Sequence, residues 1–244
     1  MKMSVSSSFS FPSCRIPLAL RYEIKLVCDP QTTGGCILAR ARSWIRMHAA
    51  GFVVAYPPRR VNSLYFDTRG LSALNDNLMG IADRRKLRLR WYGRDLPEIC
   101  PILELKQKRN LLGWKEQHTL TRPLDLTRSW IEIRDTIRND VDSNWRFLMQ
   151  TVERPILINH YQREYYVTRD GAVRVTLDFD QAAYEQRLTL RPNLTTRLPL
   201  EDNVVIEIKA DHEYGERVQE IAAQFPAPRY RNSKYVQGFL TAMI

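Results

Sequence analysis

The stretch Lys86-Leu87-Arg88-Leu89-Arg90 places a cation at every second position, with leucine in between. Because successive side chains of a β-strand point to opposite faces, this pattern predicts a strand with one charged and one apolar face. Three further segments alternate charged and apolar residues in the same way: Arg21-Tyr-Glu23-Ile-Lys25, Glu104-Leu-Lys106-Gln-Lys108 and Glu207-Ile-Lys209. Since cations held close together repel each other, the four strands predict one surface built for a polyanion.

An alternating strand usually turns its charged face to water. The alternative is a closed barrel whose charged faces point inward and whose apolar outer faces are covered by helices. We favour the inward arrangement, because exposed strands usually mix serine, threonine and glutamine with charges of both signs. The sequence also contains helical segments that can serve as cover. The predicted fold is therefore α+β: an antiparallel β-barrel tunnel with a basic interior, flanked by helices.

Turn signals and apolar spacing divide the chain into elements. Strands are predicted over 20–27, 61–67, 84–92, 101–108, 114–121, 155–168, 172–179 and 203–210. Helices are predicted over 36–49, 71–77, 126–150 (as one or two), 214–224 and 233–242. Tyr56-Pro57-Pro58 predicts a break, and residues 187–200 a polar loop. Residues 1–19 are predicted to form a disordered N-terminal extension, and residues 20–244 a single domain.

The composition points to an acidic partner. The chain carries 37 basic and 27 acidic residues, a net charge of +10, and only 8 of the basic residues are lysine. Six of those lysines lie in the alternating strands or in Ser233-Lys234-Tyr235. A general bias of the composition toward arginine would raise the net charge but would not concentrate the lysines in these segments. Nucleic acid, phospholipid headgroups and phosphorylated small molecules all fit such a charge. Nucleic acid is disfavoured, because the aromatic residues do not interleave as stacking platforms.

Other site classes find no support in the sequence. Cys14, Cys28, Cys36 and Cys100 lack the spacing of a zinc site or a disulfide framework. No run approaches 18 apolar residues, so no transmembrane helix is expected and a cytoplasmic location is the prediction. The four histidines show no catalytic or metal-binding spacing.

Eight motifs, in order, resemble the vacuolar transporter chaperone (VTC) domain, the polyphosphate polymerase branch of the triphosphate tunnel metalloenzyme superfamily. They span residues 20 to 240: Arg21-x-Glu23-x-Lys25, Val61–Thr68, Lys86–Gly93, Leu103–Lys106, Tyr161–Arg163, Val173–Asp178, Ile206–Lys209 and Ser233–Tyr235. The first resembles the ExExK motif of that superfamily with Arg21 in place of its first glutamate. This replacement points away from the two-metal hydrolases and toward polyphosphate synthesis.

The resemblance implies a tunnel in which ATP and a growing polyphosphate chain meet at a divalent metal, Mn²⁺ or Mg²⁺. It assigns the catalytic phosphate contacts to Lys25, Arg88, Arg90, Lys106 and Arg163. It adds Tyr161 and Lys234 as substrate-binding groups, and the charged strand faces add Arg21, Lys86, Lys108, Arg174 and Lys209. The metal ligand is Glu207, with Glu104 and Asp178 as further candidates. For Glu104 a salt bridge inside the barrel is an equal alternative, and Asp67 either assists the metal or caps the following helix.

We therefore expect a phosphotransferase that moves the γ-phosphate of ATP onto polyphosphate. Two alternatives stay open: hydrolysis of tripolyphosphate or a nucleoside triphosphate, and a non-catalytic module that binds polyphosphate or an inositol phosphate. Gln237 stands where the eukaryotic polymerase carries a second lysine one helical turn after Lys234, which weakens one phosphate contact. Any link to a membrane, at its inner face, requires a separate membrane protein partner.

Overall fold

The computed structural model describes residues 21–29, 36–94, 98–110, 112–230 and 233–243. The predicted extension over residues 1–19, and position 20, lie outside the described residues. In chain order the elements are β1 (Arg21–Cys28), α1 (Ile37–Met47), β2 (Phe52–Asp67), α2 (Ser72–Leu78), β3 (Asp83–Tyr92), β4 (Glu98–Ile99), β5 (Ile102–Arg109), β6 (Leu112–Thr119), β7 (Leu124–Asp125), α3 (Trp130–Asp140), α4 (Ser143–Thr151), β8 (Arg154–Thr168), β9 (Val173–Glu185), β10 (Val204–Asp211), a 3₁₀ helix (His212–Tyr214), α5 (Gly215–Ala223) and α6 (Lys234–Thr241).

Eight of these strands close into a ring. Their order is β1-β10-β9-β8-β2-β3-β5-β6, and every neighbouring pair is antiparallel. The ring closes where Arg21 of β1 pairs with Gly113 of β6. The short strands β4 and β7 form a separate two-residue ladder. The predicted antiparallel barrel with flanking helices is confirmed.

Most of the hydrophobic core lies outside the barrel, between the strands and the helices. One apolar cluster joins α1 and α5 to the outer faces of β1, β9 and β10. A second joins α3 and α4 to the outer faces of β2, β3 and β5, and a third packs α2 and α6 against β2, β8 and β9. Because apolar residues alternate with charged ones along β1, β3, β5 and β10, the charged faces of these strands point into the barrel.

The predicted break at Tyr56-Pro57-Pro58 is wrong, because β2 runs through it from Phe52 to Asp67. The pairing of β2 with β8 shifts register between Val54 and Tyr56 and again between Tyr56 and Arg59. Proline lacks a backbone N–H and is tolerated in a strand at such irregularities. β2 pairs with β3 only from Val61 onward, so the prolines interrupt no ladder on that side.

The remaining predicted elements are observed with shifted ends. The segment 126–150 holds two helices, and the ladder of β4 with β7 was not predicted. β9 extends to Glu185 instead of ending at Phe179, passing Asp180, whose φ of 50° accompanies a register shift against β8. No helix in the described part of the chain combines the length and apolar character that a membrane span requires.

Helix α6 brings Lys234 to the barrel. Ser233 caps the helix by accepting a hydrogen bond from the backbone N–H of Val236. A Cβ atom at Gly238 would lie 3.2 Å from Cβ of Ala183, tighter than ordinary contact, so glycine lets the helix pack directly on the strands. The hydroxyl of Tyr235 donates to Asp67 Oδ2 at 2.6 Å and anchors the same helix to the end of β2.

Candidate functional site: a basic tunnel

The barrel encloses a cavity of about 90 Å³. Strand alternation supplies nearly all of its lining, and the start of α6 supplies the rest. The lining side chains are Lys25, Tyr65, Lys86, Arg88, Arg90, Lys106, Tyr161, Arg163, Glu207, Lys209, Ser233 and Lys234. Eight of these twelve residues are cationic, and Glu207 is the one carboxylate among them. Positions far apart in sequence therefore form one basic interior.

The cavity brings together most of the residues predicted from the sequence. All five predicted catalytic residues line it, as do Lys86, Tyr161, Lys209, Lys234 and Glu207. Three predicted substrate-binding residues are not among the lining residues. Arg21 is paired with Asp211 near the strand end, Arg174 is exposed, and Lys108 lies two positions beyond Lys106 on β5.

Two lining residues were not assigned from the sequence. Tyr65 lies opposite Arg88 in the β2–β3 register. Burial would raise the pKa of Tyr65, but Arg88 and Arg90 lower it. Ser233 accepts a hydrogen bond from Lys86 Nζ at 2.9 Å. The alternation of β2 gives Tyr65 the same face as Ser63, but only the strand register assigns that face to the interior.

Glu207 is the centre of a buried charge network. Its Oε1 lies 3.2 Å from Lys25 Nζ, and its Oε2 lies 2.6 Å from Lys209 Nζ and 3.1 Å from a nitrogen of Arg163. Burial would raise the pKa of Glu207, but Lys209, Lys25 and Arg163 hold it well below its usual value. Burial would likewise lower the pKa of Lys25, and Glu207 and Glu23 raise it instead. Both groups therefore stay charged near neutral pH.

Asp178 holds two of the cations in place. Arg163 donates to both of its oxygens, at 2.5 and 2.7 Å, and Lys234 donates to Oδ2 at 2.7 Å. The ammonium of Lys234 also lies 4.4 Å from the ring centroid of Tyr161. Since the Asp178 side chain is fully buried and both of its oxygens are engaged, it positions Arg163 and Lys234.

The two other candidate carboxylates are engaged in structural contacts. Glu104 accepts from Arg88 at 2.8 Å and from Gln117 at 2.7 Å, and it pairs with Lys115 at 3.3 Å. Burial would raise the pKa of Glu104, but Arg88 and neighbouring cations lower it to about 2. Asp67 accepts from the backbone N–H groups at positions 73 and 74, both at 3.0 Å. The salt-bridge and helix-cap alternatives describe these observed contacts.

Positive charge exceeds negative charge in the interior. Seven of the eight lining cations pair with four carboxylates, Glu23, Glu104, Asp178 and Glu207, and the eighth, Lys86, donates to Ser233. Burial lowers the pKa of Lys86 well below its usual value, and the charges of Lys106 and Lys25 lower it further. The interior thus favours a ligand with several negative charges, which would relieve this repulsion.

Three buried polar atoms in one row of the barrel have no hydrogen-bond partner among the described residues. They are Arg90 Nε, Ser63 Oγ and Asn159 Oδ1, and Ser63 is paired in register with both Arg90 and Asn159. Buried polar atoms in proteins are almost always paired. Of the three residues, Arg90 lines the cavity, and its Nε lies 3.9 Å from Glu104 Oε2, beyond hydrogen-bond distance.

We expect Lys86 to contribute to the pH dependence of tripolyphosphate binding. Its depressed pKa means that it loses its proton at a lower pH than an ordinary lysine, and that loss should weaken binding about tenfold, the contribution of one charged hydrogen bond. The pKa values of Lys106 and Lys209 are also lowered, so part of the pH dependence should persist without Lys86. Calorimetric titration of Lys86→Met should give a shallower pH dependence than the wild type. Lys25→Met is the matched control, because the raised pKa of Lys25 keeps it charged at the pH where Lys86 loses its proton. Equal slopes in the wild type and Lys86→Met would contradict the prediction.

Comparison with known proteins gives one family match and several similar structures. The model of the VTC domain family matches residues 21–243. No curated protein matches the sequence. HpAC1 from Hippeastrum, described as a candidate adenylyl cyclase with a dominant triphosphatase activity, has a TM-score of 0.50 and 15% identity, over 92% of this chain and 96% of that chain. A candidate adenylate cyclase from Vibrio parahaemolyticus has a TM-score of 0.46 and 14% identity, over 87% and 94% of the two chains.

Proposed function

Since the chain belongs to the VTC domain family, we propose that it transfers the γ-phosphoryl group of ATP to a polyphosphate chain inside the barrel. The observation that carries this proposal is the interior itself, in which eight convergent cations exceed four carboxylates. ATP and polyphosphate both carry the compact negative charge that such an interior attracts. The coarser conclusion, a tunnel protein that acts on triphosphates, follows from the family and the fold.

The reaction needs positioning and charge neutralisation more than covalent help. A terminal oxygen of the polyphosphate chain attacks the γ-phosphorus, the bond from that phosphorus to the β–γ bridging oxygen breaks, and ADP leaves. Arg88 and Arg90 lie two positions apart on one face of β3, about 7 Å by strand geometry, a spacing that suits successive phosphates. Arg163 of β8 and Lys234 of α6, both held by Asp178, line the same cavity.

The side chains of this interior could hold a divalent metal only if oxygen atoms of the substrate were ligands as well. Enzymes with triphosphate tunnels generally use divalent ions, and bound Mn²⁺ or Mg²⁺ would act as a Lewis acid on phosphate oxygens. Among the described residues, no group of three or more histidine, cysteine, aspartate or glutamate side chains could hold such an ion. Glu207, the carboxylate that lines the cavity, would therefore bind it together with phosphate and water oxygens.

The product of ATP turnover tests the proposal. Purified protein incubated with ATP and Mn²⁺ should form polyphosphate that migrates as a ladder of long chains in gel electrophoresis, together with ADP. Release of only phosphate or pyrophosphate would overturn synthesis. Tight binding of tripolyphosphate without any turnover would instead favour a binding module. In the cell, we propose, a separate membrane protein would accept the chain from this domain.

Hydrolysis is the second candidate, and the similar fold of HpAC1, described with a dominant triphosphatase activity, supports it. The same interior with water as nucleophile would release phosphate from tripolyphosphate. Comparing the rates with tripolyphosphate and with ATP separates the candidates, because a hydrolase of this kind needs no nucleoside and forms no long chains.

Replacing Glu207 should change the metal requirement. In Glu207→Gln the half-saturating concentration of Mn²⁺ should rise by about the tenfold or more that lost contacts at metal sites cost. Metal titration of turnover measures this effect. Glu104→Gln is the matched control, because Glu104 is equally buried and is also bound by a cation, Arg88, but is not among the residues that line the cavity. A shift in Glu104→Gln and none in Glu207→Gln would reassign the ligand.

A further inference from the structure

The inward faces of three strands continue past the cationic interior into a group of aromatic residues. Tyr92 follows Arg90 by two positions on β3, and Tyr165 follows Arg163 by two positions on β8. Residues two apart share a strand face about 7 Å apart. Arg59 of β2 is paired in register with Arg163. These aromatic residues therefore begin one step along the barrel from two of the cations that line the cavity.

Four side chains form this group, which we term the aromatic cluster: Tyr56, Arg59, Tyr92 and Tyr165. The guanidinium carbon of Arg59 lies 4.6 Å from the ring centroid of Tyr92 and 5.0 Å from that of Tyr165. Arg59 Nε also donates to the hydroxyl of Tyr165 at 3.3 Å. Tyr56 meets Tyr165 edge to face, with centroids 5.9 Å apart. Arg59 thus holds two rings in a fixed arrangement.

The aromatic cluster is open to solvent and does not belong to the core. Tyr56 is 58% exposed and Tyr92 is 40% exposed. None of the three tyrosines is part of the hydrophobic clusters found in the described residues. Exposed rings held by a guanidinium present flat surfaces, and nucleic-acid bases stack on both tyrosine rings and arginine planes. The base of a nucleoside triphosphate is uncharged, so, unlike the phosphates, it does not require cationic side chains for binding.

We propose that the aromatic cluster binds the base of a nucleoside triphosphate whose phosphates lie among the cations of the barrel, with Tyr92 as the stacking surface. The cluster thereby distinguishes a nucleotide from inorganic tripolyphosphate. This inference rests on the proposed function, because it needs the phosphates to lie near Arg90 and Arg163. Because stacking tolerates different bases, the cluster should favour any nucleoside triphosphate over inorganic tripolyphosphate and should not select one particular base.

Calorimetric titrations with a non-hydrolysable ATP analogue and with tripolyphosphate, under one metal condition, test the proposal. Tyr92→Ala removes the stacking ring, so it should weaken binding of the analogue about tenfold. Binding of tripolyphosphate should change less than about twofold, because it has no base to stack. Tyr92→Phe keeps the ring and should bind both ligands as the wild type does. Phe147→Ala, which removes an exposed aromatic ring from α4, should alter neither affinity.

Equal losses for both ligands in Tyr92→Ala, or no loss for the analogue, would overturn the base site. The same titrations with Arg88→Ala separate this failure from failure of the proposed function. If Arg88→Ala weakens both ligands and Tyr92→Ala weakens neither, the phosphate-binding interior stands and the base site falls. If Arg88→Ala affects neither ligand, the phosphates do not lie in the barrel, and both proposals fall.

Discussion

Arg88→Ala is expected to lower kcat/KM for the triphosphate substrate about 10²- to 10³-fold, the usual cost of removing one preorganised charge-stabilising donor. The guanidinium lines the cavity and is only 14% exposed, so it acts where water is scarce. Glu104 fixes its direction through Arg88 Nε at 2.8 Å. Steady-state kinetics with ATP, and with tripolyphosphate if hydrolysis is found, measure the effect.

Arg109→Ala is the matched control for this prediction. Arg109 and Asp83 form an ion pair between the same two strands, β3 and β5, but their side chains are 59% and 47% exposed. Removing this pair should leave kcat/KM within about twofold, because exposed ion pairs contribute little. A comparable loss in both variants would mean that Arg88 acts through general strand stability. Circular dichroism of each variant checks that the barrel still forms.

Arg163→Met should lower the free energy of unfolding by about 3–5 kcal/mol, the typical cost of removing one partner from a buried ion pair. The Asp178 side chain is fully buried and would keep Lys234 as its only described ionic partner. Glu207 would lose one of its three cations in the same change. Such a loss is a large share of the stability of an ordinary domain, about 5–15 kcal/mol. Denaturant unfolding measures it.

Two further variants support the interpretation of this experiment. Arg217→Met removes an ion pair with Asp170 on the outside of the protein and should cost at most about 1 kcal/mol. The double variant Arg163→Met/Asp178→Asn removes both charges, so it should recover part of the loss through a coupling of about 0.5–3 kcal/mol. An additive double variant would show that Asp178 does not depend on Arg163.

Alternation within single strands made the barrel and most of its interior predictable. Lys86, Arg88 and Arg90 share one strand face, so their common orientation follows from local sequence alone. The motif order then linked distant strands, and the match to the VTC domain confirms that resemblance. Residues near strand ends were less predictable. Arg174 keeps the alternation of β9 but is exposed. This exposure could not be predicted, because no local sequence pattern shows how far the enclosed interior extends.

Contacts between distant strands could not be predicted from the sequence. Tyr65 meets Arg88 only because β2 and β3 pair in one register, and that register was not deducible from either strand. The contacts of Arg59 with Tyr92 and Tyr165 also depend on strand pairing. Arg59 directly follows the two prolines of β2. The sequence predicts a break at those prolines, because the irregular pairing with β8 that accommodates them depends on a second, distant strand.

The position of most of the apolar core outside the barrel makes the fold intolerant of register shifts within the charged strands. The strands β1, β3, β5 and β10 carry their core residues and their inward charges on alternate positions, so a shift by one residue would exchange them. Such a slip in β10 would bury Glu207 and Lys209 beneath α1 and α5, and would turn Ile206 and Ile208 toward the cavity. A single-residue insertion within β10 should therefore abolish folding and ligand binding together, whereas substitutions on the inner face can alter chemistry while the outer packing is retained.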